Sequence, residues 1–212
     1  MGEQKRVGRK TGPKPSFTRS DVVDAAIALR LDTFTLSRVA GEIGVVTSAL
    51  YRRFADLDDL LGACLDRVAG TIAAPTDGMT WQEVLQLWAQ ECWRVCEDFP
   101  GLVQTVYSHA TAFTHVATAV APYAAALEGH GYSRGQVAFA LDFLGDTVFS
   151  CYLGVEMLRA RNAAGVSGVD QIRERTSPDH LFQPEDSWGD RGFTDVKVNF
   201  IIEGLERHWP EM

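Results

Sequence analysis

The chain is expected to be all-α, with a small N-terminal three-helix head and a larger C-terminal helical bundle. Three observations lead there. Apolar residues recur at spacings of three and four almost throughout the 212 residues. No segment shows the period-2 alternation of a half-buried strand. A hydrophobic share of 46% is enough to build a sizeable core.

Val22, Val23, Ala26 and Ile27 mark the first amphipathic stretch, with Thr18 as its N-cap and Asp21 in its first turn, where a carboxylate suits the helix dipole. Residues 35–54 read TLSRVAGEIGVVTSALYRRF. A short helix from about Thr35 buries Leu36, Val39, Ala40 and Ile43. Gly44 supplies the sharp turn, because glycine takes positive φ freely. A second helix from about Thr47 buries Leu50 and Phe54. Ala40, Gly44 and Leu50 carry the spacing of a helix-turn-helix, whose second helix enters the major groove N-terminus first. Its solvent side shows Thr47, Ser48, Tyr51 and Arg52, groups suited to base edges and phosphates. Asp56 caps the next helix, with Asp58 and Asp59 in its first turn and Leu57, Leu60, Leu61, Cys64, Leu65 and Val68 on one face. Pro75 and Gly78 break the chain, so this unit covers residues 18–73.

The body covers residues 79–212. Trp81, Val84, Leu85, Trp88, Cys92 and Val95 form its first stripe. Pro100 interrupts, and a further helix runs through Tyr107. Residues 115–129 are Ala-rich, with Pro122 as a kink and Gly129 and Gly131 as the end. Residues 133–161 read as one long helix, apolar on more than one face and so buried on several sides. Residues 162–192 carry glycines and prolines among mixed charges and read as a mobile loop. A last helix spans Thr194 to His208. Glu91, Glu97 and Asp98 read as ordinary exposed acids.

The net charge of −8 is unevenly placed. Residues 1–19 hold six basic residues and one acid, a net +5, whereas residues 73–212 hold 9 basic and 19 acidic, a net −10. A basic flexible arm over 1–17, with Lys5, Arg6, Arg9, Lys10 and Lys14, fits a strand that tracks phosphates or lies in the minor groove. No run of 18 uninterrupted apolar residues is present, so no membrane span is expected. The N-terminus has charge but no apolar stretch behind it, which does not suit a secretory signal. Four scattered cysteines point to reduced thiols and a cytoplasmic location. Cys92, Cys96, His109 and His115 show no metal-ligand spacing, so neither metal nor cofactor is expected. Nucleophile-elbow, phosphate-loop and dinucleotide signatures are absent, which argues against an enzyme.

SFTRSDVVDAAIAL, TLSRVAGEIGV, TSALYRRF and DLDDLLGACLD resemble the tetracycline-repressor (TetR) family of bacterial transcription regulators, over about residues 16–70. The run Val45-x-x-x-x-Leu50-Tyr51-x-x-Phe54 is the most specific part. The segment WQEVLQLWAQECWRVCEDFPGLV and the closing FIIEGLERHW resemble the family's ligand domain. Two departures stand out. The connection from Ala28 to Thr35 is compact and lacks the family's glycine, so Arg30, Asp32 and Thr33 must turn tightly. Leu57, flanked by Asp56, Asp58 and Asp59, stands where the family often has a phosphate-binding lysine.

The resemblance implies a ligand-responsive repressor that binds a pseudo-palindromic operator as a homodimer and is released by a small, largely apolar effector. The expected DNA contacts are the arm residues with Thr35, Ser37, Arg38, Val46, Thr47, Ser48, Tyr51, Arg52 and Arg53. The expected effector pocket is lined by Trp88, Cys92, Phe99, Val103, Tyr107, Phe113, Phe139 and Phe143, with His109, Asp142 and Asp146 as polar anchors. The expected dimer face is Leu144, Val148, Cys151, Val155 and Leu158 with Val198, Ile201, Ile202 and Leu205. The alternative is a helical small-molecule-binding protein or enzyme that does not bind DNA. Deleting residues 1–15 is expected to remove much of the DNA affinity and to flatten its salt dependence, read as the slope of log K against log salt. An unchanged slope would take the arm out of the contact.

Overall fold

A computed structural model describes residues 17–212. Lys5, Arg6, Arg9, Lys10 and Lys14 lie outside the described residues. The head consists of α1 (Arg19–Ala28), α2 (Leu36–Glu42), α3 (Thr47–Leu50) and α4 (Leu57–Ala69). The body consists of α5 (Trp81–Asp98), α6 (Leu102–Ser108), α7 (Ala112–Gly129), α8 (Arg134–Arg159), α9 (Gly168–Arg173) and α10 (Thr194–Arg207).

Local chemistry sets the helix starts. Thr18 and Asp21 form a capping box on α1, and Thr80–Glu83 and Ser133–Gln136 do the same on α5 and α8. Asp56 accepts from the Asp59 N–H to cap α4. Gly44 takes φ 71 between α2 and α3. The second helix of the pair is shorter than the sequence suggests. Beyond Leu50 the chain continues as a turn in which the Arg52 and Arg53 N–H groups donate three residues back.

The head core gathers Val22, Ala26, Val39, Ala40, Leu50, Phe54, Leu60 and Cys64, and Val95, Leu102 and Ala112 of the body complete it. In the body α8 is central, packed by α5, α7 and α10. It is long and apolar enough to cross a membrane by length and composition, a test that a helix packed inside a bundle also meets. Trp88 stacks edge-on against Tyr123 at 5.0 Å and donates its Nε1–H to the Leu141 carbonyl at 2.8 Å.

Residues 162–192 are more ordered than a featureless loop. They hold α9 and a 3₁₀ turn at Asp186–Gly189. Arg159 at the end of α8 donates to the carbonyls of Gly189 (2.6 Å) and Asp190 (3.1 Å) and pairs with Glu97 at 2.6 Å. Glu91 likewise departs from expectation. It is buried rather than exposed, because its carboxylate accepts from the Ala73 N–H at 2.8 Å and from Arg94 at 2.7 Å. Those partners, Arg94 first, hold it below the usual glutamate range.

Gly168 packs so tightly on the end of α8 that an added Cβ would lie 2.7 Å from the Met157 carbonyl and 2.9 Å from Leu158 Cα. Gly168→Ala is therefore expected to destabilise the chain by about 1–3 kcal/mol, because backbone and not a flexible side chain must move. Thermal denaturation checks this, and an unchanged midpoint would mean that the segment is not docked.

Candidate nucleic-acid interface and effector body

The head presents one polar face. Thr35, Ser37, Arg38, Ser48, Arg52 and Arg53 are exposed, Thr47 is half-buried, and Val46 and Tyr51 are 69% and 57% exposed. Behind them Leu50 and Phe54 are buried, so α3 is held by its apolar side and offers the other. Not every expected contact residue is uncommitted. Thr35 spends its hydroxyl on capping α2, where it accepts from the Arg38 N–H at 3.3 Å. Arg38 donates to the Thr33 carbonyl at 3.3 Å, and Arg53 to the Phe17 carbonyl at 3.4 Å. Arg52 and Tyr51 make no side-chain hydrogen bond among the described residues, which leaves their donors for an outside partner.

The acidic start of α4 is partly neutralised from within. Arg19 lies over the Phe54 ring at 4.1 Å and pairs with Asp59 at 2.8 Å. Asp59 also accepts from the Ala55 N–H at 2.9 Å, and these contacts, the backbone one first, hold it below the usual carboxylate range. Arg19 counts in the sequence among the six basic residues of 1–19, and its pairing with Asp59 was not expected. Its signal was an arginine at the first position of α1, on the side from which Asp59 approaches.

The expected pocket residues separate into two groups. Trp88, Cys92 and Val103 are buried in the body core, and the half-buried Phe99 packs on the head core. Tyr107, Phe113 and Phe143 are 52%, 69% and 45% exposed, and His109, Asp142 and Asp146 are exposed as well. These outer residues belong to an aromatic and acidic surface on α6–α8. Phe139 and Phe143 lie 5.5 Å apart, Tyr107 meets the Phe149 ring edge-on at 6.4 Å, and the Tyr107 hydroxyl donates to Asp146 at 3.2 Å. Burial pushes the Tyr107 hydroxyl up, and Asp146 adds to the shift. No group of His, Cys, Asp or Glu able to hold a metal ion occurs among the described residues.

The expected dimer face needs correction. Leu144, Val148, Val155, Val198, Ile202 and Leu205 are all under 7% exposed within the single chain, because they form the side on which α8 and α10 meet the body core. Cys151, Leu158 and Ile201 stay half-buried. The outward apolar residues of α10 are instead Val196 (64%) and Phe200 (76%). Tyr123 belongs to the body core. It is fully buried and donates to the Ala73 carbonyl at 2.6 Å, and the one large aromatic in an Ala-rich stretch was the signal for it.

No protein-family model matches the chain. Over 99 residues it is 34% identical to the HTH-type transcriptional repressor DrrR1 of Streptomyces coeruleorubidus, covering 44% of this chain and 37% of that protein. The chain thus matches little more than a third of the length of this curated relative. A possible TetR family transcriptional regulator from Streptomyces coelicolor A3(2) superposes with a TM-score of 0.72 at 20% identity, covering 90% of this chain and 99% of that one. ActR of Streptomyces coelicolor, in complex with (S)-DNPA, superposes at 0.66 and 17% identity, covering 90% and 97%. A TetR variant from Acinetobacter baumannii AYE, in complex with minocycline, superposes at 0.64 and 18% identity, covering 90% and 94%. These likenesses, each over nine-tenths of the chain, show that it has the TetR-family fold, a helix-turn-helix head carried on a helical body.

Proposed function

We propose that the chain is a transcriptional regulator that binds operator DNA as a homodimer and releases it when a small molecule binds the helical body. The observation that carries this reading is the head surface. Thr47, Ser48, Tyr51 and Arg52 share one outward side of a segment whose Leu50 and Phe54 are buried. Tyr51, Arg52, Thr47 and Ser48 would read base edges and phosphates. Thr35, Ser37, Arg38, Val46 and Arg53 would seat the head on the backbone. Repression is favoured because the curated relative, 34% identical over 99 residues, is named a repressor. Effector binding is favoured because ActR and TetR hold (S)-DNPA and minocycline. In this reading the protein is cytoplasmic and has no catalytic role.

The dimer would form on the face where Cys151, Gly154 and Leu158 of α8 meet Val196, Phe200 and Ile201 of α10. A Cβ added at Gly154 or Gly204 meets nothing within 4 Å, which leaves room for another helix to approach. Two such heads, roughly 34–36 Å apart, could meet successive major grooves.

Arg52→Ala is expected to cost about 1–3 kcal/mol of binding to the DNA upstream of its own gene, measured by gel shift at fixed salt. Unchanged affinity would remove Arg52 from the contact. Phe200→Glu should convert the protein to monomers in analytical ultracentrifugation and weaken DNA binding with it. A variant that stays dimeric would place the interface elsewhere.

A further inference from the structure

We infer that Arg30 and Glu156 form a second joint between head and body, beside α4, and that this joint sets the angle of the head. The inference rests on the head-and-body reading above, but it needs neither DNA nor effector.

The starting observation is a backbone outlier. Arg30 turns the chain between α1 and α2 at φ 83, the only non-glycine residue with positive φ among those described. The left-handed region strains an L-residue, a cost that glycine would avoid. Such an outlier persists where the surroundings over-determine it.

Here the surroundings reach across the seam. The Arg30 Nε–H donates to Asp32 Oδ1 at 2.8 Å, and Nη2 donates to Glu156 Oε1 on α8 at 3.0 Å. The other Glu156 oxygen accepts from Gln104 Nε2 on α6 at 2.6 Å. One carboxylate therefore holds the head's first turn and α6 together. The same turn is fixed twice more. The Leu31 N–H donates to the Pro100 carbonyl at 3.1 Å. Gly101, at φ 88, lets Asp32 so close that a Cβ there would lie 2.7 Å from the Asp32 nitrogen. The α1–α2 turn, the start of α6 and the last turn of α8 thus meet at one point.

The seating of α6 at this joint leaves polar atoms unpaired. Gln104 Oε1 and Thr105 Oγ1 are buried without a hydrogen-bond partner among the described residues. An unpaired buried polar group is costly, so a seating of α6 that pairs these atoms would compete with the one described. Any displacement of α6 or rotation of α8 would pass through Glu156 to the turn that begins the helix-turn-helix.

Native-state hydrogen exchange on the full chain, without ligand, tests the joint at the Leu31 amide. Arg30→Gly keeps the left-handed turn comfortable while removing the guanidinium. Glu156→Ala removes the hub, and Glu156→Gln keeps one acceptor oxygen for Arg30 while removing the charge and the acceptor used by Gln104. Arg30→Gly and Glu156→Ala are each expected to raise Leu31 exchange roughly tenfold, the scale of one charge-assisted hydrogen bond. Glu156→Gln should fall between the wild type and Glu156→Ala, because it keeps one of the two hydrogen bonds and loses the charge. The Val45 amide, bonded to the Ala40 carbonyl inside the helix-turn-helix, should not change in any of them. Unchanged or slower Leu31 exchange in Arg30→Gly overturns the joint. So does a parallel rise at Val45, which would mean that the head loosens as a whole. Should Glu156→Ala fail to fold, Arg30→Gly decides alone. A failed gel shift would count against the DNA-binding reading and leave the exchange result standing.

Discussion

Helix α4 is buried on two sides at once, and this constraint organises the chain. Leu60, Cys64, Leu65 and Val68 close the head core. Along its other side α4 packs against α7 at Gly62, where an added Cβ would lie 2.8 Å from the His115 ring. His115 Nδ1 stands 2.7 Å from Asp66, so the close approach is also tied by a polar contact. Just beyond α4 the connector is held from the body: Arg94 donates to the Thr71 carbonyl at 2.8 Å, Glu91 accepts from Ala73, and Tyr123 donates to the Ala73 carbonyl. A helix gripped in this way cannot move in the body without moving in the head, as an allosteric element requires.

Electrostatics follows from the same arrangement. A head with net −3 over residues 20–72 looks ill suited to a polyanion. Its acids, however, are largely employed by the fold. Asp21 and Asp56 serve helix caps, Asp24 pairs with Arg67 at 2.7 Å, Asp59 with Arg19, and Asp32 with Arg30. Exposed pairs of this kind add little stability each. Their effect is to employ the acids internally, whereas Arg52 and Tyr51 make no side-chain hydrogen bond among the described residues.

The sequence was legible where structure is local. Thr18 and Asp21, Gly44, and Asp56 each act within a few residues, and composition alone placed them. Periodicity also found the buried stripes of α8 and α10, but it could not tell what they are buried against. Leu144, Val148 and Ile202 were therefore given to a partner when their own bundle already covers them. Glu91 and Arg30 were opaque for a related reason, since their partners lie 18 and 126 residues away in sequence. A carboxylate on an amphipathic helix looks solvated until the connector that needs its hydrogen bond is in place.

Burial also divides the thiols. Cys64 is pushed up to about 12 by desolvation, and Cys92 and Cys96 are raised by the same cause, so none of the three forms thiolate at neutral pH. Cys151 alone is half-buried on the outer side of α8, with Lys197 Nζ 3.4 Å from its sulfur. Alkylating reagents, mixed disulfides and fluorescent maleimides all need an accessible sulfur. For that chemistry a protein with four cysteines behaves as though it had one, and on the dimer face proposed above that thiol would be open in the monomer and covered in the dimer.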